Sequence, residues 1–124
     1  MLGQHTVEKI GGTSMSAYQD VRNNILMRPL NGEKVSAENQ AKLYNRVFVV
    51  SAYGGITDLL LEHKKSGQPG LFQLYSNDSG SAQWRDMLDT VREAMYEKNA
   101  ELFHDEAQLE RANDFIGDRL SQAE

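Results

Sequence analysis

Residues 7–16 read Val7-Glu-Lys-Ile-Gly-Gly-Thr-Ser-Met-Ser16 and combine the signals of a strand, a turn and a helix start. Apolar and polar residues alternate up to Lys9, as in a short strand, and two glycines then precede the hydroxyl side chains of Thr13, Ser14 and Ser16. A helical pattern follows directly, so we predict a strand, a tight turn and a helix. Adjacent glycines let the backbone bend sharply and come close to a ligand. The first N–H groups of the following helix point into the same space.

Lys9 stands beside this glycine corner and favours an anion as its ligand. At a separation of ~4 Å and an effective dielectric constant near 20, one lysine–phosphate charge pair contributes about 4 kcal/mol before desolvation is subtracted. The same arrangement also occurs as a plain tight turn with a solvated lysine at the strand end. This stretch alone therefore leaves a phosphate site and a structural turn both open.

Composition restricts the class of protein. A chain of 124 residues predicts one domain, and 13 Lys plus Arg against 18 Asp plus Glu give a net charge of −5, which argues against a nucleic-acid or anionic-membrane partner. The absence of cysteine excludes disulfides and thiolate sites and fits a reducing compartment. His5, His63 and His104 lack metal-site spacing, so we expect no metal site. With no apolar run near 18 residues and no signal-peptide pattern, we expect a cytoplasmic protein.

A second strand is predicted at Arg46–Ser51, where a continuous apolar and β-branched run is typical of a strand covered on both faces. An amphipathic helix is predicted over residues 14–27, and a polar connection over residues 30–39, with helical turns over residues 38–43. Strand, helix and strand joined in this way predict a right-handed βαβ unit with parallel strands.

The second strand ends in Ser51-Ala-Tyr-Gly-Gly-Ile-Thr57, which repeats the first corner: small residues, a glycine pair and a hydroxyl. We predict that a helix follows and runs to about Lys65, with Lys64 and Lys65 at its end. Thr57 is open to two interpretations, an N-cap of this helix or a ligand-binding hydroxyl. Because ligands bind at the carboxyl ends of parallel strands, two such corners predict one shared crevice.

The remainder of the sequence is mainly helical. Leu71–Tyr75 is compatible with either a strand or a packed turn, and residues 77–81 are rich in helix-capping side chains. Apolar residues from Trp84 to Leu102 follow helical spacing and predict one core-packing helix that ends at about Asn99 or slightly beyond. A second stripe from Leu109 to Ile116 leads into Gly117. Two firm strands make a narrow sheet, which indicates part of a larger domain.

Three motifs in order resemble those of aspartate kinases. Lys9-Ile-Gly-Gly-Thr-Ser14 is similar to their Lys-aromatic-Gly-Gly-Thr/Ser-Ser motif, Val50-Ser-Ala-Tyr-Gly-Gly-Ile-Thr57 to Val-Ser-Ala-x-x-Gly-x-Thr, and Phe115-Ile-Gly-Asp-Arg-Leu-Ser121 to a Gly-Glu-x-x-Ser segment. The run from Asp58 to Gly67 resembles the ectoine-associated members. The resemblance implies an α/β chain, part of the three-layer αβα sandwich of the amino acid kinase fold, with a mainly parallel sheet and helices on both faces. Residues 1–124 would be its N-terminal portion, without the ATP-binding half and the ACT regulatory domains.

The resemblance implies phosphoryl transfer from ATP, with Mg²⁺, to the side-chain carboxylate of L-aspartate, and a homo-oligomeric enzyme. Such a reaction needs positioning and charge neutralisation more than covalent chemistry. Lys9 would be catalytic. The residues implied for phosphate or ATP binding are Lys9, Gly11, Gly12, Ser14 and Ser51, and those for aspartate are Ser51, Ala52, Thr57 and Asp118.

Two residues depart from the family pattern. Ile10 replaces the aromatic residue after the lysine, and Asp118 replaces a glutamate expected to pair with the substrate ammonium. Asp118 is also compatible with a simple acidic residue in the first turn of a helix, where acids are favoured. Two alternative functions stay open: another amino acid kinase, for glutamate, acetylglutamate or a nucleotide, and a non-catalytic anion-binding module. We expect the fragment itself to be inactive.

Overall fold

The computed structural model describes residues 5–28, 36, 45–77 and 82–124. It consists of two compact units, Met1–Gly54 and Gly55–Glu124, and each is described by itself. The predicted connection over residues 30–39 (apart from Ser36), the helical turns over residues 38–43 and most of the predicted capping cluster lie outside the described residues. In the part that is described, no helix combines the length and apolar character that a bilayer crossing needs.

The first unit contains a two-stranded parallel sheet. Strand β1 spans Thr6–Ile10 and strand β2 spans Arg46–Val50, paired in a register that runs from Thr6 opposite Arg46 to Ile10 opposite Val50. The Ser51 N–H extends this ladder by donating to the Ile10 carbonyl oxygen at 3.0 Å. The prediction of an α/β chain with parallel strands is therefore confirmed.

Among the residues that the structure describes, one face of this sheet is covered and the other is largely exposed. Ile10 is buried, and Phe48 packs with it against a small apolar cluster on the covered face. On the opposite face Val7 is 72% exposed, Val47 50% and Val49 51%. The prediction that the second strand is covered on both faces is wrong for this chain. The β-branched residues indicate a strand because they favour strand conformation. They do not indicate whether other elements cover both faces of that strand.

The segment after the first glycine corner is helical but not continuous. Helix α1 spans Gly12–Ser16, helix α2 spans Tyr18–Val21, and a π-helical turn spans Arg22–Leu26. Ala17 interrupts the predicted helix with φ −99° and ψ 50°. Ser16 bonds back to the carbonyl four residues earlier, a contact that bends helices. Met15 and Val21 are nevertheless buried beside Ile10, as their helical spacing predicts.

A partly buried ion pair lies on the covered face of the sheet. The Arg46 guanidinium donates from Nε and Nη2 to the two carboxylate oxygens of Glu8, both at 2.6 Å, and from Nη1 to the Ile25 carbonyl oxygen at 2.9 Å and to the Arg28 carbonyl oxygen. Its Cζ lies 4.6 Å from the centroid of the Phe48 ring. Arg46 therefore joins both strands to the end of the helical segment.

The second unit begins with a short helix. Helix α3 spans Ile56–Leu60, about one turn shorter than predicted, because Leu61 leaves the helical region at φ −111° and ψ −81°. The prediction that Lys64 and Lys65 end this helix is wrong, since both lie in the turn that follows. Leu71–Asn77 forms helix α4, so neither a strand nor a packed turn is correct for this segment.

Two long helices complete the second unit. Helix α5 spans Gln83–Leu102 and helix α6 spans Glu106–Ser121. The core-packing prediction for α5 is confirmed at the residues whose side chains are buried, Trp84, Leu88 and Val91. The two helices approach closely at Gly117, where an added Cβ atom would lie 3.0 Å from the Tyr96 hydroxyl oxygen.

Candidate functional site

The first glycine corner lies under the side chain of Lys9. Lys9 lies on the exposed face of β1. Its Nζ would be 3.7 Å from a Cβ atom added to Gly11. Gly11 has extended backbone angles, φ −74° and ψ 163°, and its carbonyl oxygen accepts from the Met15 N–H at 2.9 Å as α1 begins. A positive charge therefore lies over an open glycine turn at the carboxyl end of a parallel strand.

The second glycine corner touches the first. A Cβ atom on Gly12 would lie 2.9 Å from the Ala52 carbonyl oxygen and 3.8 Å from the Gly54 nitrogen. Real Cβ atoms essentially never come so close to a backbone oxygen. The absence of a side chain at residue 12 therefore lets the two corners meet, as the placement of both at the ends of neighbouring parallel strands predicts.

A serine connects the two corners. The Ser16 hydroxyl donates to the Gly12 carbonyl oxygen at 3.1 Å and accepts from the Gly54 N–H at 2.9 Å. In the sequence Ser16 is only a hydroxyl residue near the start of a predicted helix. Its partner at residue 54 lies 38 positions away, so no local pattern could have identified this contact.

The structure limits what Ser51 and Ala52 can offer a ligand. The Ser51 N–H is already bonded to the Ile10 carbonyl oxygen, which leaves the half-buried hydroxyl as the donor of that residue. Ala52 is exposed, and its carbonyl oxygen faces Gly12. The exposed Ser14 lies in α1, in the same unit as Lys9. Six of the eight predicted site residues, Lys9, Gly11, Gly12, Ser14, Ser51 and Ala52, thus belong to the first unit.

Thr57 and Asp118 belong to the second unit, and both simple structural interpretations of them are wrong. The N-cap of α3 is Gly55, at φ 87°, and no side chain caps this helix end, so Thr57 is an exposed residue of its first turn. Asp118 lies in the last turn of α6, where its carbonyl oxygen accepts from the Gln122 N–H at 3.1 Å. The Gly-Asp-x-x-Ser segment therefore ends a helix instead of beginning one.

The side chains of residues 5–28, 36, 45–77 and 82–124 include no group of three or more His, Asp or Glu placed to hold a metal ion. Glu8 is the acid nearest to Lys9 in sequence, and its carboxylate is bonded to Arg46 and to the Thr6 hydroxyl at 3.2 Å. The hydrogen bonds from Arg46 hold the pKa of the Glu8 carboxyl below its usual range. This acid therefore serves the fold, while Lys9 lies on the other face of the strand.

Comparison with known proteins gives one informative relative. The chain is 50% identical over 119 residues, 96% of its length, to aspartate kinase Ask_Ect of Stutzerimonas stutzeri (strain A1501). It spans 23% of the length of that relative. No family model matches the chain, and no solved structure matches it. The resemblance to aspartate kinases, and to their ectoine-associated members in particular, is therefore confirmed over nearly the whole chain.

Proposed function

We propose that the full-length gene product containing these residues is an aspartate kinase, which transfers a phosphoryl group from ATP to the side-chain carboxylate of L-aspartate. The observation that carries this proposal is the 50% identity to an aspartate kinase over 96% of the chain. The meeting of two glycine corners beneath a lysine supports it, because this geometry suits a phosphate group. Residues 1–124 would form the N-terminal portion of an amino acid kinase domain, and the sheet would become a complete αβα sandwich with strands from the rest of that domain.

Lys9 would neutralise the phosphoryl group during its transfer. Both reactants are anions, so the reaction depends on bringing them in line and offsetting their charge. The Lys9 ammonium already lies over Gly11, which has no side chain to separate it from a bound phosphate. Gly12 and the Ser14 hydroxyl would contribute donors on the same side of the turn.

The second corner would hold the aspartate carboxylates. At this corner the Ser51 hydroxyl would bind the carboxylate, because the Ser51 N–H already donates to the Ile10 carbonyl oxygen in the sheet. Ala52 would shape the corner, and Thr57 would add a hydroxyl donor. Asp118 would pair with the substrate ammonium from the end of α6, a role that its exposed carboxylate permits.

Mg²⁺ would arrive with ATP and be held chiefly by its phosphates. The acid next to Lys9 in the sequence, Glu8, is bonded to Arg46 on the other face of β1, and its oxygens are therefore unsuited to a metal. We also propose a cytoplasmic enzyme that acts as a homo-oligomer. The exposed valines of the uncovered sheet face are apolar surface that the rest of the domain or a second chain would bury.

The test is an assay of the full-length gene product with ATP, L-aspartate and hydroxylamine, in which aspartyl phosphate is trapped as its hydroxamate. Lys9→Met should lower kcat by about 100-fold or more, as expected from losing a group that stabilises charge in the transition state. Lys64→Met is the matched control, because Lys64 is an exposed lysine in a turn of the other unit.

Absence of aspartate-dependent hydroxamate from the wild-type protein would refute the proposal. A parallel set with glutamate, acetylglutamate and nucleotide acceptors separates aspartate kinase from other amino acid kinases. The isolated 124-residue chain should give no turnover under the same conditions, because it spans only 23% of the related kinase.

A further inference from the structure

We propose that Ser16 is a positioning residue that holds the second glycine corner against the first. This inference rests on the proposed function and assigns the hydroxyl a task beyond binding or capping. Ser16 Oγ is the meeting point of two hydrogen bonds, one to the Gly12 carbonyl oxygen at 3.1 Å and one from the Gly54 N–H at 2.9 Å. Gly12 is the first residue of α1, directly after the turn that ends β1, and Gly54 belongs to the turn that follows β2.

The hydrogen bond between Ser16 and Gly54 lies beyond the end of the parallel sheet. The parallel ladder ends at the bond from the Ser51 N–H to the Ile10 carbonyl oxygen. Residues 52–54 then leave the sheet as an exposed or half-buried turn that contains a glycine at its end. The bond from the Gly54 N–H to Ser16 ties this turn back to α1.

The space between the two glycine corners has room for the Ser16 hydroxyl but not for a side chain on Gly12 or Gly54. A Cβ atom added to Gly54 would lie 3.0 Å from Ser16 Oγ, and one added to Gly12 would lie 2.9 Å from the Ala52 carbonyl oxygen. Neither glycine can gain a side chain without moving a neighbour. The serine hydroxyl therefore fills the seam between the corners and bonds to both sides of it.

The position of this seam sets the distance between the two halves of the proposed phosphoryl site. Lys9 lies over the first corner, and Ser51 and Ala52 form the second. Reactions that depend on positioning lose about 100-fold in rate when a reacting group is displaced by ~1 Å. Loss of the Ser16 hydroxyl should therefore act on kcat through the geometry of the corners, although Ser16 itself touches no substrate.

The experiment compares wild-type, Ser16→Ala and Ser16→Thr forms of the full-length gene product in the hydroxamate assay. Ser16→Ala should lower kcat by about 10- to 100-fold, with KM for ATP and aspartate changed by less than about threefold, because alignment is lost while the binding groups stay. Ser16→Thr keeps the hydroxyl and should retain most of the wild-type kcat.

Thr90→Ala is the matched control. The Thr90 hydroxyl also bonds to the carbonyl oxygen four residues earlier, that of Asp86, at 3.0 Å, but it lies in α5 and joins no second segment. Its loss should leave kcat unchanged. Any general effect of removing a hydroxyl from a helix would appear in this variant too.

Hydrogen exchange provides a readout that does not depend on activity. In Ser16→Ala the Gly54 amide should exchange faster, while the amides of α5 keep their wild-type protection. If the wild-type protein makes no aspartyl hydroxamate, the proposed function fails, but the exchange of Gly54 still decides whether Ser16 holds the corner. Unchanged exchange at Gly54, or unchanged kcat in an active enzyme, would overturn the inference.

A second substitution tests the same seam from the other side. Gly54→Ala should also lower kcat, because its Cβ would lie 3.0 Å from Ser16 Oγ and would push the hydroxyl aside by a few tenths of an ångström. The kcat of the double variant Ser16→Ala/Gly54→Ala should be only slightly lower than that of either single variant, since both substitutions act on the same contact. Multiplication of the two losses, or loss of protection throughout α5 in Ser16→Ala, would instead show independent or general destabilisation and refute the positioning role.

Discussion

Replacing Arg46 by methionine should weaken the first unit more than any surface substitution. The Arg46 side chain is only 4% exposed, and its guanidinium bonds to both Glu8 carboxylate oxygens and to the carbonyl oxygens of Ile25 and Arg28. Methionine has a similar length but provides none of these donors. The substitution therefore leaves a carboxylate and two carbonyl groups without the partner that they have in the native fold.

The expected cost is about 3 kcal/mol. Removal of one member of a buried ion pair costs roughly 3–5 kcal/mol, because the remaining charge stays buried without compensation. The lower end applies here since the Glu8 side chain is 23% exposed and water can reach it. Set against a typical domain stability of about 5–15 kcal/mol, this is a large fraction. The double variant Glu8→Leu/Arg46→Met should recover most of the loss, because it buries no unpaired charge.

The loss should also depend on pH. The hydrogen bonds from Arg46, followed by its charge and by the Thr6 hydroxyl, lower the pKa of Glu8 in the folded state against the opposing effect of burial. A carboxyl with a lowered folded-state pKa stabilises the protein above its unfolded pKa, about 4.3, and this contribution disappears as the pH falls through the folded value. The difference in free energy of unfolding between wild type and Arg46→Met should therefore be largest near pH 7 and decrease below about pH 4.

Hydrogen exchange of β1 and β2, followed by mass spectrometry and corrected for intrinsic rates, measures this effect in the unit concerned. Tryptophan fluorescence would not report on the stability of the first unit, since Trp84 lies in the second unit. Arg85→Met is the control, because Arg85 is exposed and lies over the Trp84 ring, at 4.7 Å from its centroid. A change below about 0.5 kcal/mol in the strands, the range of ordinary surface substitutions, would refute the reasoning.

Three further substitutions have definite expected outcomes. Gly12→Ala should lower kcat in the hydroxamate assay by about 10-fold or more, because its Cβ would meet the Ala52 carbonyl oxygen at 2.9 Å and force the corners apart. Gly70→Ala should destabilise the second unit by about 1–3 kcal/mol in urea unfolding followed by Trp84 fluorescence, since its Cβ would lie 2.6 Å from the Leu61 carbonyl group. Asp105→Ala should cost about 1 kcal/mol in the same measurement, because Asp105 caps α6 by accepting from the Gln108 N–H. Unaltered unfolding in either of the last two, or full activity in the first, would contradict these contacts.

The successful predictions concern features encoded over a few neighbouring residues. The alternation before Lys9 and the β-branched run after Arg46 predicted the two parallel strands, and the glycine pairs predicted corners at their carboxyl ends. The spacing of apolar residues from Trp84 onward predicted α5 almost to its final residue. In each of these cases local backbone preference and the burial pattern favour the same structure.

The unsuccessful predictions concern segments whose structure depends on distant contacts. The apolar segment Leu71–Tyr75 is too short for its period to separate helix from strand, and it became a helix where Gly70 lets the chain pack against Leu61. Asp118 was compatible with an acidic residue in the first turn of a helix, because acids are favoured there. In the structure Gly117 instead lies inside α6, where the absence of a side chain leaves room for Tyr96.

Local patterns in the sequence were enough to predict two strand–glycine–helix corners, a lysine beside the first corner, and the resemblance of both corners to the motifs of aspartate kinases. Turns and helix starts are local, so glycine pairs and hydroxyl residues suffice to encode them. The contact of Gly12 with Ala52 and the bond between Ser16 and Gly54 emerged only from the three-dimensional packing of the first unit. These contacts join residues about 40 positions apart, and the packing of the whole unit, which no short pattern records, brings them together.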